Sequence, residues 1–391
     1  MTWPDIREEP VSLTAVFTFH TVFLTSLQIN ILEQTSLPES CVVCGGDANI
    51  TCPTCRCVAW CTTEHQVADT KTHREWCPHI DQCQRVLDEM LEDLRQGNQA
   101  PATNSVGSSR EHEETASWME QVYQLLKLQS RVRHRAAVEE MVRSALLMLQ
   151  LGGQGDPFRI SRLILPLFLR IGQYQEFYDF VRWRMQSLAL PDNANIYLGL
   201  RYTVDVLPNA QIGPYMVDFF EDIAIFGDRA WSLDLLLMLC LMKIKLYIEL
   251  QDIDRLAELH LPALANYPAG VVDFLRYHCE IPEIRRNAAL LESRHIRHLT
   301  LERLLDNIHE LIDWIELREP LWLLWLAMTV RKGGAAEWDN LSDREHNQSS
   351  LLHFRMVYQA WAETPRAVSA LLAIQLSREA DENEKLVIPA L

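Results

Sequence analysis

The chain has 391 residues, of which 48% are hydrophobic, so it can form two or three domains and bury a sizeable core. Its formal net charge of −17 argues against binding to nucleic-acid phosphates or to an anionic membrane surface, because both need a basic footprint. The expected partner is therefore a protein or peptide, and neither nucleic acid nor a membrane is expected.

Residues 1–40 form an N-terminal extension ahead of the recognisable motifs. Within it, residues 11–32 carry no acidic residue, lysine or arginine. A signal peptide needs a basic start and a spanning helix needs about 20 predominantly apolar residues, and this segment has neither. Its apolar residues mostly occupy odd positions, and many residues are β-branched. This period of two predicts a β-like segment packed on the rest of the protein, with a signal anchor as the alternative.

Seven of the ten cysteines lie between residues 41 and 77, together with two histidines. Two CxxC pairs are followed by a CxxxH and an HxxxC, and the donors are Cys41, Cys44, Cys52, Cys55, Cys61, His65, His73 and Cys77. Two thiolates separated by two residues can reach one zinc ion from a tight turn, and residues four apart share one side of a helix. Eight donors complete two tetrahedral sites, which predicts two structural zinc ions. The alternative, redox chemistry at Cys52 and Cys55, expects a βαβ context that the flanking sequence lacks.

This order of donors resembles the MYND zinc finger over residues 41–77. The likeness includes Trp60 before the fifth ligand and a short helix that ends in HxxxC. The resemblance implies a cross-brace, in which ligand pairs one and three share one ion and pairs two and four share the other. Carried over, the first site is Cys41, Cys44, Cys61 and His65, and the second site is Cys52, Cys55, His73 and Cys77. It also implies a rigid platform for protein contacts.

The sequence departs from the MYND pattern at two positions. His65 stands where the family normally has cysteine, so the first site must adjust to a longer side chain. Thr70 stands where a tryptophan usually precedes the ligand histidine by three residues, which puts peptide capture by that side chain in doubt. An extra thiol, Cys57, is expected to be a partly buried free cysteine, with a substitute ligand or an oxidation-sensitive site as the alternatives.

Beyond the finger, the apolar spacing of residues 78–96 predicts a helix leading out of the zinc unit. Residues 97–115 are rich in Gly, Ser, Asn and charge, which predicts a flexible linker. Residues 116–391 have helical periodicity nearly throughout. The predicted fold class is mainly α: a small cross-brace finger, MYND-like, followed by an irregular α-helical, TPR-like body. Residues 171–183 and 358–367 also resemble a group of uncharacterised fungal MYND-domain proteins, a likeness that implies no activity.

Two stretches of the body predict helical hairpins. Residues 163–183 combine two helical patterns separated by a Gly-containing turn, and residues 245–261 combine an aromatic-bearing helix, a short polar turn and a Leu-rich helix. The two stretches are roughly eighty residues apart, whereas a regular TPR array repeats every 34 residues. An irregular superhelix is therefore expected instead of a true repeat.

No catalytic constellation is recognisable. A SET-type lysine methyltransferase is the main enzyme alternative, because some of these enzymes carry a MYND finger and need an Asn-His-x-Cys-x-Pro segment. The nearest stretch, Tyr277–Pro282, lacks the asparagine and has a different spacing. GxSxG, P-loop, GxGxxG and HExxH motifs are absent. His295 and His298 could share a helix face, but further metal donors are missing, so a mildly basic surface patch is the preferred interpretation.

The sequence therefore predicts a non-enzymatic zinc-binding protein that acts as a protein–protein interaction module or adaptor. The few cysteines outside the cluster form no secreted disulfide pattern, which favours a reducing compartment, the cytoplasm or nucleus. A relative of the SET-type methyltransferases is the disfavoured alternative.

Overall fold

The chain is described from a computed structural model. It covers residues 37–38, 40–96, 113–151, 159–187, 220–226, 232–260, 267–320, 322, 326 and 348–387. The β-like segment predicted for residues 11–32 lies outside the described residues, as do residues 97–112 of the predicted linker. Helices dominate the described residues, beside two very short strands, so the mainly α fold class is confirmed.

The described elements follow the predicted helical periodicity closely. The strands are β1 (Ile50–Thr51) and β2 (Ala59–Trp60). The helices are α1 (Thr63–Gln96), α2 (Glu113–Gln129), α3 (Arg135–Leu151), α4 (Ile160–Arg170), α5 (Tyr174–Ser187), α6 (Leu233–His260), α7 (Ala269–His278), α8 (Pro282–Arg286), α9 (Ala288–Glu292), α10 (Arg294–Arg318), α11 (Gln348–Ala362) and α12 (Ala367–Val387), with a short 3-10 turn at Ile223–Phe226. Helix α2 begins at Glu113, so the last three residues of the predicted linker are helical.

Helix α1 unites the helix of the predicted finger with the helix predicted to lead out of it. Its 34 residues run without a break, although Pro78 lies inside it and removes one backbone hydrogen bond. One face carries His73, Cys77 and the buried Ile80, and the same face continues to the buried Leu87. The helix therefore carries candidate metal ligands near one end and packs on helix α2 further along.

The remaining helices form the helical body, the described residues from 113 to 387. Helices α2, α3, α4 and α5 pack in sequence, and α6 packs against α4, α10, α11 and α12. Helix α4 is almost wholly buried, and the turn to α5 uses Gly172 at φ 74°, a left-handed conformation that favours glycine. The hairpin predicted for residues 163–183 is confirmed.

The hairpin predicted for residues 245–261 is wrong. Helix α6 continues from Leu233 to His260 through the stretch that was expected to form a polar turn. That stretch has no glycine or proline to end a helix. Ile253 and Ala257 are both buried, so the apolar face continues past the polar residues. Polarity alone therefore did not break the helix.

The Cys/His module, defined as residues 40–80, shares one apolar core with the helical body. A single cluster of buried side chains includes Trp60 and Ile80 of the module as well as Tyr123 and Leu126 of helix α2. The two units are therefore packed together along α1 and α2. Within the part of the chain that the structure describes, no helix is both long and apolar enough to cross a bilayer.

Replacing Asp179 with asparagine is expected to stabilise the protein by about 1–2 kcal/mol at pH 7.5. Burial, together with the nearby Glu176 and Glu283, raises the pKa of Asp179 from 3.8 to about 6. Because the folded-state pKa exceeds the unfolded value, the charged carboxylate lowers stability above pH 6, and this cost disappears as the pH falls towards 4. Asparagine keeps the oxygen that accepts a 2.9 Å hydrogen bond from Gln175.

Chemical denaturation at pH 4 and pH 7.5 measures this effect. The stabilisation is expected only at the higher pH. The exposed Asp88, changed to asparagine, is the matched control and is expected to change stability little at either pH. Equal gains from Asp179→Asn at both pH values would contradict the assignment.

Candidate metal sites

A small antiparallel hairpin holds the first half of the Cys/His module. Ile50 lies opposite Trp60 and Thr51 lies opposite Ala59. Cys52 N–H donates to Val58 O at 3.0 Å and extends this pairing, and Val42 N–H donates to Ala59 O at 3.1 Å and attaches the first CxxC turn to β2. The hairpin thereby fixes both CxxC turns relative to the start of helix α1.

The two CxxC pairs form equivalent turns. Gly45 N–H donates to Cys41 O at 2.8 Å, and Arg56 N–H donates to Cys52 O at 3.0 Å. The residue after each pair has a positive φ, 71° for Gly45 and 57° for Arg56. The first turn uses glycine for this conformation, whereas the second turn places a non-glycine residue in it at some cost in strain.

Backbone N–H groups in these turns favour a thiolate at the first cysteine of each pair. Burial acts to raise the pKa of Cys41, but N–H groups of Cys44, Cys61 and Val43 outweigh it and lower this pKa to about 6. Burial is likewise outweighed at Cys52, where N–H groups of the same turn lower the pKa. Zinc binds the thiolate and not the thiol, so both turns are prepared for a metal.

The first donor group consists of Cys41, Cys44, Cys61 and His65. Its ligand atoms all lie within 4.8 Å of one another. Cys44 Sγ is 3.4 Å from Cys61 Sγ, and His65 Nδ1 is 3.5 Å from Cys41 Sγ and 3.0 Å from Cys61 Sγ. The donors therefore surround a common point from the first CxxC turn, the residue after strand β2 and the start of helix α1.

The second donor group consists of Cys52, Cys55, His73 and Cys77. Cys52 Sγ is 3.8 Å from Cys77 Sγ, and His73 Nε2 is 3.2 Å from Cys52 Sγ and 3.8 Å from Cys55 Sγ. All three cysteines are buried. The second CxxC turn thus meets the last two donors on helix α1, His73 and Cys77.

Both groups fit a tetrahedral zinc ion. Zinc–sulfur bonds of about 2.3 Å place two sulfur ligands about 3.8 Å apart, close to the observed separations. The cysteines within each group also disfavour one another's charged form. A hydrogen bond shared with Cys44 raises the pKa of Cys61 to about 11, and burial with the charges of Cys55 and Cys52 raises the pKa of Cys77. A cation would offset this crowding, and each group could hold one zinc ion.

The eight predicted donors thus come together in the pairing that the sequence resemblance implies. His65 enters the first group through Nδ1, the ring nitrogen nearer the backbone, so its longer side chain needs little extra room. Thr70, which stands where the family usually has tryptophan, offers no aromatic surface. Its hydroxyl donates to Gln66 O at 3.0 Å, within the same helix. Trp60 is fully buried, packs edge-on against His73 at 5.2 Å and donates to Asp69.

Cys57 lies outside both donor groups. It is completely buried, and its Sγ–H donates to Cys55 O at 3.1 Å. The sequence predicted a partly buried free cysteine here, and the structure agrees except that the burial is complete. Cys83 also lies outside the groups and donates to Gln121 O at 3.6 Å.

Sequence reasoning missed the residues of the helical body that hold the module. His134 Nε2 donates to Ser40 O at 2.9 Å, and Gln129 Nε2 approaches Cys57 Sγ at 3.9 Å. The guanidinium of Arg131 lies 4.7 Å from the centre of the Trp76 ring. These residues come from the end of α2 and the turn that follows it. No local motif marks them, because their role depends on which surface α1 brings to the body.

The other candidate residues do not form a metal site among the described residues. His295 and His298 are both exposed, and His298 Nε2 lies 3.3 Å from Asp254 Oδ2. In the stretch compared with methyltransferases, Cys279 is buried and donates to Ile281 O, while the exposed His278 ring lies 4.4 Å from the Phe274 ring.

Comparisons of the chain with protein-family models, with curated proteins and with solved structures find no match. The geometry of the donors therefore carries the functional interpretation.

Proposed function

We propose that this chain is a non-enzymatic zinc protein of the MYND type that acts as an adaptor for a protein or peptide partner. The observation that carries the proposal is the pair of interleaved four-donor groups, Cys41, Cys44, Cys61, His65 and Cys52, Cys55, His73, Cys77. Closed sites with four protein ligands are typical of structural zinc, since catalytic zinc usually keeps a position for water or substrate.

The packing of the Cys/His module on the body supports a scaffold role. One face of α1 supplies ligands and core contacts, and the opposite face carries Val67, Lys71 and Arg74. Val67 is 72% exposed, and all three residues lie on the outside of the module. Zinc would hold this outer face rigid, which reduces the entropy lost when a partner binds. We propose that the partner contacts this face, and that the irregular, TPR-like body acts as its support.

Metal analysis of purified protein tests the zinc assignment, and two zinc ions per chain are expected. The interaction is tested by quantitative affinity capture with wild type and Val67→Glu. A charge placed at the centre of a contact is expected to reduce capture of specific partners about tenfold, the equivalent of about 1.4 kcal/mol.

Leu317→Glu is the matched control, because Leu317 is 87% exposed at the far end of helix α10. Its capture profile is expected to equal that of wild type. If partners are retained by Val67→Glu and lost by Leu317→Glu, the contact lies on the helical body and not on the Cys/His module. Calorimetric binding of S-adenosylmethionine to the wild type would contradict the non-enzymatic assignment and favour the methyltransferase alternative.

A further inference from the structure

The two donor groups differ in their access to solvent. In the first group Cys44 is exposed, Cys61 and His65 are partly exposed, and only Cys41 is buried. In the second group the three cysteines are buried, and only His73 is partly exposed. Reagents in solution can therefore reach sulfur atoms of the first group far more easily than those of the second.

The second group is also built into the contact with the helical body. Cys57, two residues after the ligand Cys55, is wholly buried and touches Gln129 of helix α2. Trp76, the residue before the ligand Cys77, packs on Arg131. Dismantling the second group would disturb this contact. Ser40, beside Cys41 of the first group, is also bonded to the body through His134, but Cys44 has its hydrogen bonds and sulfur contacts within the module.

We infer that the first group is an oxidation-sensitive zinc site, where Cys44 and Cys61 form a disulfide and release one zinc ion while the second site keeps its ion. The inference rests on the proposed zinc binding. The two sulfur atoms are 3.4 Å apart, and a disulfide needs about 2.0 Å, so a small movement of the exposed turn brings them together. The buried second site then continues to hold the module on the body.

The chemistry balances with hydrogen peroxide as the oxidant. The exposed Cys44 thiolate attacks one peroxide oxygen, the O–O bond breaks, and the product is a sulfenic acid with hydroxide, which takes up a proton to give water. The Cys61 thiolate then attacks the Cys44 sulfur, forming the S–S bond as the S–O bond breaks, and this hydroxide also becomes water on protonation. Two thiolates lose two electrons in total, peroxide gains them, and the zinc ion leaves because half of its donors are gone.

The thiols that could form other disulfides are less accessible to solvent than Cys44. Cys41 is 1% exposed, and Cys52, Cys55 and Cys57 are no more than 5% exposed. Peroxide must contact sulfur directly, so these buried thiols react only after the module opens. The order of zinc release therefore reports whether oxidation begins at the surface or by opening of the module.

Native mass spectrometry of the full-length, zinc-loaded protein during titration with hydrogen peroxide tests the inference. The expected sequence is a two-zinc species, then a one-zinc species with a Cys44–Cys61 disulfide identified by peptide mapping. Loss of the first ion is expected to be at least about tenfold faster than loss of the second, reflecting thiol access. Cys44→Ser is expected to prevent this disulfide.

Cys83→Ser is the control, since this thiol lies outside both donor groups and should leave the order of release unchanged. Simultaneous loss of both ions, earlier loss from the second site, or a first disulfide that joins Cys52, Cys55 or Cys77 would overturn the inference. Failure to find two zinc ions before oxidation would instead overturn the proposed zinc function, so the two failures are distinguishable.

Discussion

His73→Ala is expected to remove the second zinc ion and to lower the free energy of unfolding by about 5 kcal/mol or more, because structural zinc contributes about 10–16 kcal/mol in isolated finger peptides. The variant removes one of four donors from the buried group. The remaining three cysteines would be crowded without a cation, and the turn that carries Cys57 would lose its anchor against Gln129. The Cys/His module should then separate from helix α2.

Metal analysis together with hydrogen exchange measures this result. About one zinc ion per chain should remain, and amides around Ile80 and Tyr123, both buried between module and body, should lose protection. Fluorescence of the buried Trp60 should also change, since its ring packs on His73.

Two histidine variants serve as comparisons. His79→Ala changes an exposed residue of the same helix, outside both donor groups, and is expected to keep two ions and full stability. His65→Ala is expected to lose the first ion with a smaller loss of protection at the α1–α2 contact. Two ions in His73→Ala would show that the second group is assigned wrongly.

Glu363→Gln is expected to destabilise the helical body by about 3–5 kcal/mol, because it leaves a buried guanidinium without its charge partner. Arg170 Nε donates to Glu363 Oε2 at 2.7 Å, and Arg170 Nη2 donates to Oε1 at 3.0 Å. The two side chains are only 1% and 5% exposed. The pair joins the end of helix α4 to the residue that follows helix α11, so its loss should loosen the packing of these helices.

Urea denaturation measures the change in unfolding free energy. Asp252→Asn is the matched control, because it breaks the ion pair between Arg366 and Asp252, whose side chains are 49% and 35% exposed respectively. The loss of this pair should lower the unfolding free energy by less than about 1 kcal/mol. The double variant Arg170→Met with Glu363→Leu should recover much of the stability, because apolar replacement of both partners avoids an unpaired buried charge. A loss below about 1 kcal/mol for Glu363→Gln would mean that water reaches the pair.

The helical body shows how far periodicity predicts structure. Apolar spacing predicted helices α4 and α5, and Gly172 predicted the turn between them. Glycine marks a turn because it readily adopts the left-handed conformation that Gly172 has here and that few other residues adopt. A short run of polar residues in α6 predicted a turn, but the helix continues through it. The buried partners Arg170 and Glu363 had no sequence signal, since 193 positions separate them.

The sequence by itself predicted the eight candidate metal donors, because zinc chemistry restricts both the residue types and their spacing. It also determined the mainly helical fold, because helical periodicity depends on neighbouring residues. Only the tertiary structure decided that His65 presents Nδ1, that Cys57 is buried against Gln129, and that the cysteines of the second donor group are buried while Cys44 of the first is exposed. These features depend on how α1 packs against α2 and the turn that follows it, and contacts between distant segments leave no local pattern in the chain.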